Sequence, residues 1–135
     1  MITVINRVRR FWPHWVIARP QPPVMAESSF FAIFLLTVVL TRLFLYINPL
    51  PAPTFNGIRT HHYMYGIVGV ILGLTVASLP TFAIGMGLFT DELTFVLMGG
   101  KTHHDNYWTV SLIGTAVFAG LVFLARRFLV KPFEG

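Results

Sequence analysis

The sequence predicts an all-α integral membrane protein with four transmembrane helices and an N-terminal interfacial segment. Three observations predict it. Hydrophobic residues make up 55% of the chain and charged residues only 11%, with a mean hydropathy of +0.69, as in membrane proteins rather than soluble domains. The apolar residues are gathered into long runs separated by Pro, Gly and polar clusters. The basic residues sit beside those runs, in the way topology signals do. That placement also argues against nucleic acid as the partner of a chain whose net charge is +5. At 135 residues the chain is one domain by length. It has no cysteine, which excludes disulfides, iron–sulfur clusters and thiolate metal sites.

Residues 1–27 divide into a basic interfacial stretch and a stiff linker. Ile2, Ile5 and Val8 recur at threes, Arg7, Arg9 and Arg10 add charge, and Trp12 and Trp15 suit the headgroup layer. Pro13 breaks any single helix there, and Arg19-Pro20-Gln21-Pro22-Pro23 is extended. The start lacks an uninterrupted apolar core and a cleavage site, so the first long apolar run is expected to be both signal and anchor.

Residues 28–131 hold the transmembrane domain. The first span runs from Ser28 to Ile47, with Arg42 as its one charge. Its roughly 20 residues suffice to cross the hydrocarbon layer. Asn48-Pro49-Leu50-Pro51-Ala52-Pro53 ends it. The second span runs from Thr60 to Leu79. Here Gly66, Gly69 and Gly73 follow His62 on one helical face, a stripe that lets a neighbouring backbone approach closely. By the same periodicity His62 points into the bundle and His61 lies about 100° away, with Tyr65. Pro80 marks a tight turn or a kink. The third segment, Thr81 to Met98, is either a short span or a re-entrant helix, and it carries Asp91-Glu92. The fourth runs from Tyr107 to Val130, capped by Asp105 or Asn106, with small residues Ser111, Thr115 and Ala119 on one stripe.

Arg7, Arg9, Arg10 and Arg19 precede the first span and Arg126, Arg127 and Lys131 close the last, against only Arg59 and Lys101 in the outer connections. That asymmetry predicts a multi-pass protein of a bacterial inner membrane with both termini cytoplasmic. His61, His62, His103, His104, Asp105 and the second half of the third segment then share the external face.

Imidazoles and carboxylates gathered at a membrane face are the ligand set of zinc or non-haem iron, with manganese a poorer fit. The metal-ligand candidates are His61, His62, Asp91, Glu92, His103, His104 and Asp105, with His62, Glu92 and His104 the leading set. Helix rise puts Glu92 ~10 Å and Arg42 ~8 Å below the outer ends of their helices, so these two can pair. Arg42 and Arg59 are the charge-compensating candidates; Tyr65 and Tyr107 are candidates for hydrogen bonds to the ligands. The plainer readings are a salt bridge from Asp91-Glu92 to Arg42 or Arg59, a solvated histidine pair, and a polar loop with a helix cap. Proton handling is the other chemistry this residue set supports. There is no Glu-x-x-His and no His-Glu-x-x-His motif, so a zincin-type protease is not supported. Haem is not expected, because His62 and His104 face each other only at the membrane surface.

The segments HHYMYG (His61 to Gly66), GMGLFTDEL (Gly85 to Leu93) and DNYW (Asp105 to Trp108) resemble a group of small, largely uncharacterised prokaryotic integral membrane proteins. These show His-His-x-x-x-Gly, Asp-Glu and Asp-x-Tyr-Trp in that order. The resemblance covers residues 58–112 and singles out His61, His62, Gly66, Asp91, Glu92, Asp105, Tyr107 and Trp108. It implies a shared architecture and brings no activity with it. His103-His104 is not part of that pattern.

The functional expectation is a membrane metalloprotein or proton-handling protein. The rival is an accessory subunit of a larger respiratory or photosynthetic complex, its polar clusters being interface salt bridges. Membrane lipids, such a complex, or further copies of the chain are the expected partners.

Overall fold

The computed structural model describes residues 23–48, 54–56, 58–99 and 109–134. Four α-helices occur among them: α1 (Pro23–Ile47), α2 (His62–Thr75), α3 (Leu79–Leu97) and α4 (Thr109–Val130), followed by a 3-10 turn (Lys131–Phe133). A minimal antiparallel hairpin, β1 (Thr54–Phe55) and β2 (Ile58–Arg59), pairs Thr54 with Arg59 before α2. The interfacial segment expected over residues 1–22 lies outside the described residues.

α1 begins five residues earlier than the apolar run suggested, because Pro23 is tolerated in a first helical turn. α2 is shorter than expected. It stops at Thr75, and Ala77 takes a left-handed φ of 54°. The Ser78 amide then bonds the Gly73 carbonyl at 2.8 Å, closing a Schellman-type end. Ser78 at once caps α3, its Oγ accepting from the Thr81 amide at 3.4 Å, with Pro80 in the first turn. Pro80 therefore belongs to a tight turn between antiparallel helices. A left-handed alanine costs about 1–2 kcal/mol. Ala77→Gly is accordingly expected to raise stability by up to about 1 kcal/mol after the extra glycine entropy, read from unfolding in mixed micelles.

α3 is the central helix and touches α1, α2 and α4. Ten of its 19 residues are buried, against five of 25 in α1, so α3 is the element surrounded by the others. The glycine stripe of α2 faces it, as its spacing predicts. A Cβ on Gly66 would lie 2.5 Å from the Phe89 amide nitrogen, and one on Gly69 2.9 Å from the Gly85 Cα. At the end where α1 starts and α4 finishes, Ala26, Phe30, Leu79, Phe82, Ala83, Val130 and Phe133 form an apolar core. Phe82 stacks on Phe30 and meets Phe133 at a tilt, at ring-centre distances of 5.7 and 5.1 Å.

Among the described residues two helices are long and apolar enough to cross a membrane: Pro23–Ile47 and Thr109–Phe133, with mean hydropathies of 2.3 and 1.8. Only 22% and 17% of their apolar windows are buried. Leu36, Val39, Leu40, Val117, Leu121 and Leu124 instead face outward, as lipid contact requires. α2 is apolar but has 14 residues.

The apolar end also carries an ion pair, with Glu27 of α1 lying 3.4 Å from both Arg126 and Arg127 of α4. Arg127 is 81% exposed, so solvent screens its share of the pair. Glu27→Gln is expected to change stability by less than about 1 kcal/mol in the same unfolding assay.

Candidate functional site

Asp91 and Glu92 are neighbours in α3, so their side chains leave the helix about 100° apart and reach different partners. Asp91 turns to α1 and α4. Its Oδ1 accepts from Arg42 Nε at 2.5 Å. Arg42 Nη2 donates to the Asp91 carbonyl at 3.0 Å and to Thr115 Oγ1 at 2.8 Å. Thr115 Oγ1 is also 3.3 Å from that carbonyl. Asp91 is fully buried and the Arg42 side chain is 13% exposed. One guanidinium thus ties three helices together. The Asp91 Oδ2, Thr94 Oγ1 and Ser111 Oγ atoms are buried and make no hydrogen bond among the described residues.

Glu92 turns to α2. Its Oε1 lies 2.9 Å from His61 Nδ1, and its Oε2 accepts from the Tyr63 amide at 3.0 Å. His62 Nδ1 is 3.7 Å from the same Oε2, in charge range but beyond a hydrogen bond. His61 is the N-cap residue of α2, extended at φ −111° and ψ 156°, and its own side chain caps nothing. Glu92 supplies that cap from the neighbouring helix. Its charge meets an unsatisfied amide at the positive end of the helix dipole. The Glu92 side chain is 6% exposed, the two imidazoles 30% and 36%. The carboxylate therefore lies beneath the rings. Tyr63 and Phe95 flank the His61 ring, with centres at 6.0 and 6.1 Å.

The structure thus brings together His61, His62 and Glu92, and places Asp91 apart on Arg42. Of the pairings open to Arg42, the structure makes the salt bridge with Asp91 and not the one with Glu92, because α3 is rotated so that residue 91 faces α1. His62 was expected to point inward and His61 away; the shorter bond to Glu92 is made by His61, since the chain is still extended at that residue. Tyr65 does not reach the cluster, its hydroxyl donating to Thr60 Oγ1 at 3.1 Å. Arg59 lies in β2, with only its backbone described. His103, His104, Asp105 and Tyr107 lie outside the described residues. Among the described residues no group of three or more His, Asp or Glu is arranged as a metal site.

Two participants escape a reading of side-chain types. Thr115 looks like one more small packing residue, and the Tyr63 contribution is a backbone amide. The second has a signal in hindsight: an α2 start with no Ser, Thr, Asp or Asn at the cap position leaves amides for another helix to satisfy.

The chain matches no family model, no curated protein and no solved structure.

Proposed function

We propose that this is a four-pass membrane protein, both termini in the cytoplasm, that binds a zinc or iron ion at the external end of its helices. The observation that carries the reading is the focusing of two partly exposed imidazoles, His61 and His62, on one buried carboxylate, Glu92. Nitrogen and oxygen donors of this kind suit either metal. His103, His104 and Asp105 are the sequence's candidates for completing the ligand set. A bound ion would supply a Lewis acid with a water-bearing position. The engagement of Asp91 by Arg42 takes it out of that set and gives it the ion-pair role instead.

The test is elemental analysis of the full chain, purified in mild detergent without chelator and equilibrated with zinc or iron(II). About one ion per chain is expected. A metal-free protein under both conditions would sink the reading. Glu92 would then be a helix staple, and the accessory-subunit reading would take over.

The topology has its own test. The chain lacks cysteine, so a single cysteine at Ser78, in the turn between α2 and α3, reports without background. Four spans place that turn inside the cell. An impermeant thiol reagent is expected to label it only in inverted vesicles; labelling of intact cells would overturn the four-span arrangement.

A further inference from the structure

We infer that the apolar belt of this protein is stepped, lower along α2 than on the other three helices. The bilayer that fits it is thinned at the α2 flank, where outer-leaflet headgroups and water come down to His61 and His62. The inference rests on the four-pass reading above and adds how the site is reached.

α3 serves as a ruler for the heights of its neighbours, because all three touch it. A Cβ on Gly66 of α2 would meet Phe89, one on Gly73 would meet Phe82, and one on Gly87 of α3 would meet Thr37 of α1. On this scale α2 begins level with Glu92, whose carboxylate holds the Tyr63 amide. The other helices continue past that level. α3 runs on from residue 92 to Leu97, and α1 from Arg42 to Ile47. α4 starts at Thr109, ahead of the Thr115 that touches Asp91. Each extension is ~8–9 Å by the rise per residue. These extensions are apolar and outward-facing: Leu43 and Phe44 on α1, Leu97 on α3, and Val110 and Ile113 on α4 are 51–67% exposed.

α2 itself has 14 residues, ~21 Å against the ~30 Å of a hydrocarbon layer. Its ends are polar. His61, His62 and Glu92 mark one, and Ser78, bonded to Thr81 at 2.9 Å, marks the other. Between them Ile67, Val68, Ile71 and Leu72 are exposed. That band is apolar, so acyl chains cover it, and it is short, so the acyl layer over it is thin. Thinning is how a bilayer meets a short span. The chain leading into α2 calls for the same. His61 is extended, and the hairpin before it has two residues in each strand. Such backbone persists at membrane depth only in water or against protein. Both imidazoles are partly exposed at the step, above a buried carboxylate. Water drawn down to them gives an external ion a path that a flat leaflet would close.

The experiment is nitroxide depth measurement on the full chain in vesicles of dioleoyl phosphatidylcholine, by collision with oxygen and with a neutral nickel chelate. The chain has no cysteine of its own. Met64→Cys labels the first turn of α2, Val39→Cys the same height on α1, and Ile71→Cys the middle of α2; all three native side chains are exposed. Val39 lies ~12 Å below Ile47 at the end of α1, and Met64 ~4 Å below His61. The label at residue 64 is therefore expected to read ~8 Å shallower than the one at 39 and to meet the nickel chelate. The label at 71 should meet oxygen, as hydrocarbon sites do. Equal depths at 64 and 39 would overturn the inference, because the leaflet would then be flat across α2. Low collision with both reagents at 71 would overturn it too, by placing another protein chain against α2 in place of lipid. Should Met64→Cys fail to fold, Val68→Cys against Leu35→Cys makes the same comparison. The four-pass reading is tested apart from this: labelling at residue 78 from outside the cell fells it and the step together, whereas equal depths with residue 78 inside fell the step alone.

Discussion

Asp91→Ala is expected to destabilise the protein by about 3–5 kcal/mol, the cost of breaking a buried ion pair by removing one partner. Arg42, 13% exposed, would lose the bond from Nε to the carboxylate. Its bonds from Nη2 to the residue 91 carbonyl and to Thr115 go to neutral acceptors. Arg42→Met should cost a similar amount, because Asp91 has no exposure and no other Lys or Arg among the described residues pairs with it. The informative variant is the double one. Removing both charges also removes the desolvation they suffer, and apolar replacements of similar size often restore stability or exceed it. Arg42→Met with Asp91→Leu is therefore expected to recover most of the loss, although Thr115 then loses its Arg42 partner. Equilibrium unfolding by SDS in mixed micelles measures all three. Single variants within about 1 kcal/mol of the parent would mean that the pair is screened as surface pairs are, and that α3 is held by packing instead.

The apolar runs make the helices legible and leave their rotations illegible. Arg42, Asp91 and Glu92 are visible in the sequence as charges that need partners, and their depth along the helices follows from the rise per residue. Which carboxylate meets Arg42 depends on how α3 is turned about its axis. That turn is set by where Gly66, Gly69 and Gly85 let α2 and α3 touch, a contact between two helices that neither segment specifies alone. The early end of α2 is hidden for a local reason. The left-handed position is filled by Ala77, where glycine would have announced it. The hairpin does carry a signal: Asn-Gly, the pair at 56 and 57, is a favoured turn sequence, and Asn56 has a positive φ of 50°. The cluster of His61, His62 and Glu92 is half legible. Its members follow from residue type and shared end, but the cap that Glu92 gives α2 runs through the Tyr63 amide, which every residue but proline possesses and no composition reveals.

Gly85→Ala tests how far that helix contact controls the site. A Cβ at residue 85 would meet the backbone of Gly69 and Val70, and would sit 2.9 Å from the Gly66 carbonyl oxygen. These are main-chain atoms within α2, so no rotamer change relieves the clash and the whole helix must shift. Overpacking of this kind costs about 1–3 kcal/mol, and the gain in helix propensity from Gly to Ala returns less than about 1 kcal/mol of it. Gly120→Ala is the matched control, since nothing lies within 4 Å of the Cβ it would add; there the propensity gain should appear uncompensated. The consequence reaches beyond stability. Glu92 lies seven residues, ~10 Å, along α3 from Gly85, and its bonds to the Tyr63 amide and His61 are 3.0 and 2.9 Å long. Moving α2 away by even half an ångström lengthens both past their best geometry. Zinc affinity in micelles is therefore expected to fall in Gly85→Ala and to stay unchanged in Gly120→Ala, although neither residue touches the imidazoles. If Gly85→Ala lowers stability while leaving affinity intact, the N-terminus of α2 is held by Glu92 alone and the glycine contact serves only the packing below it.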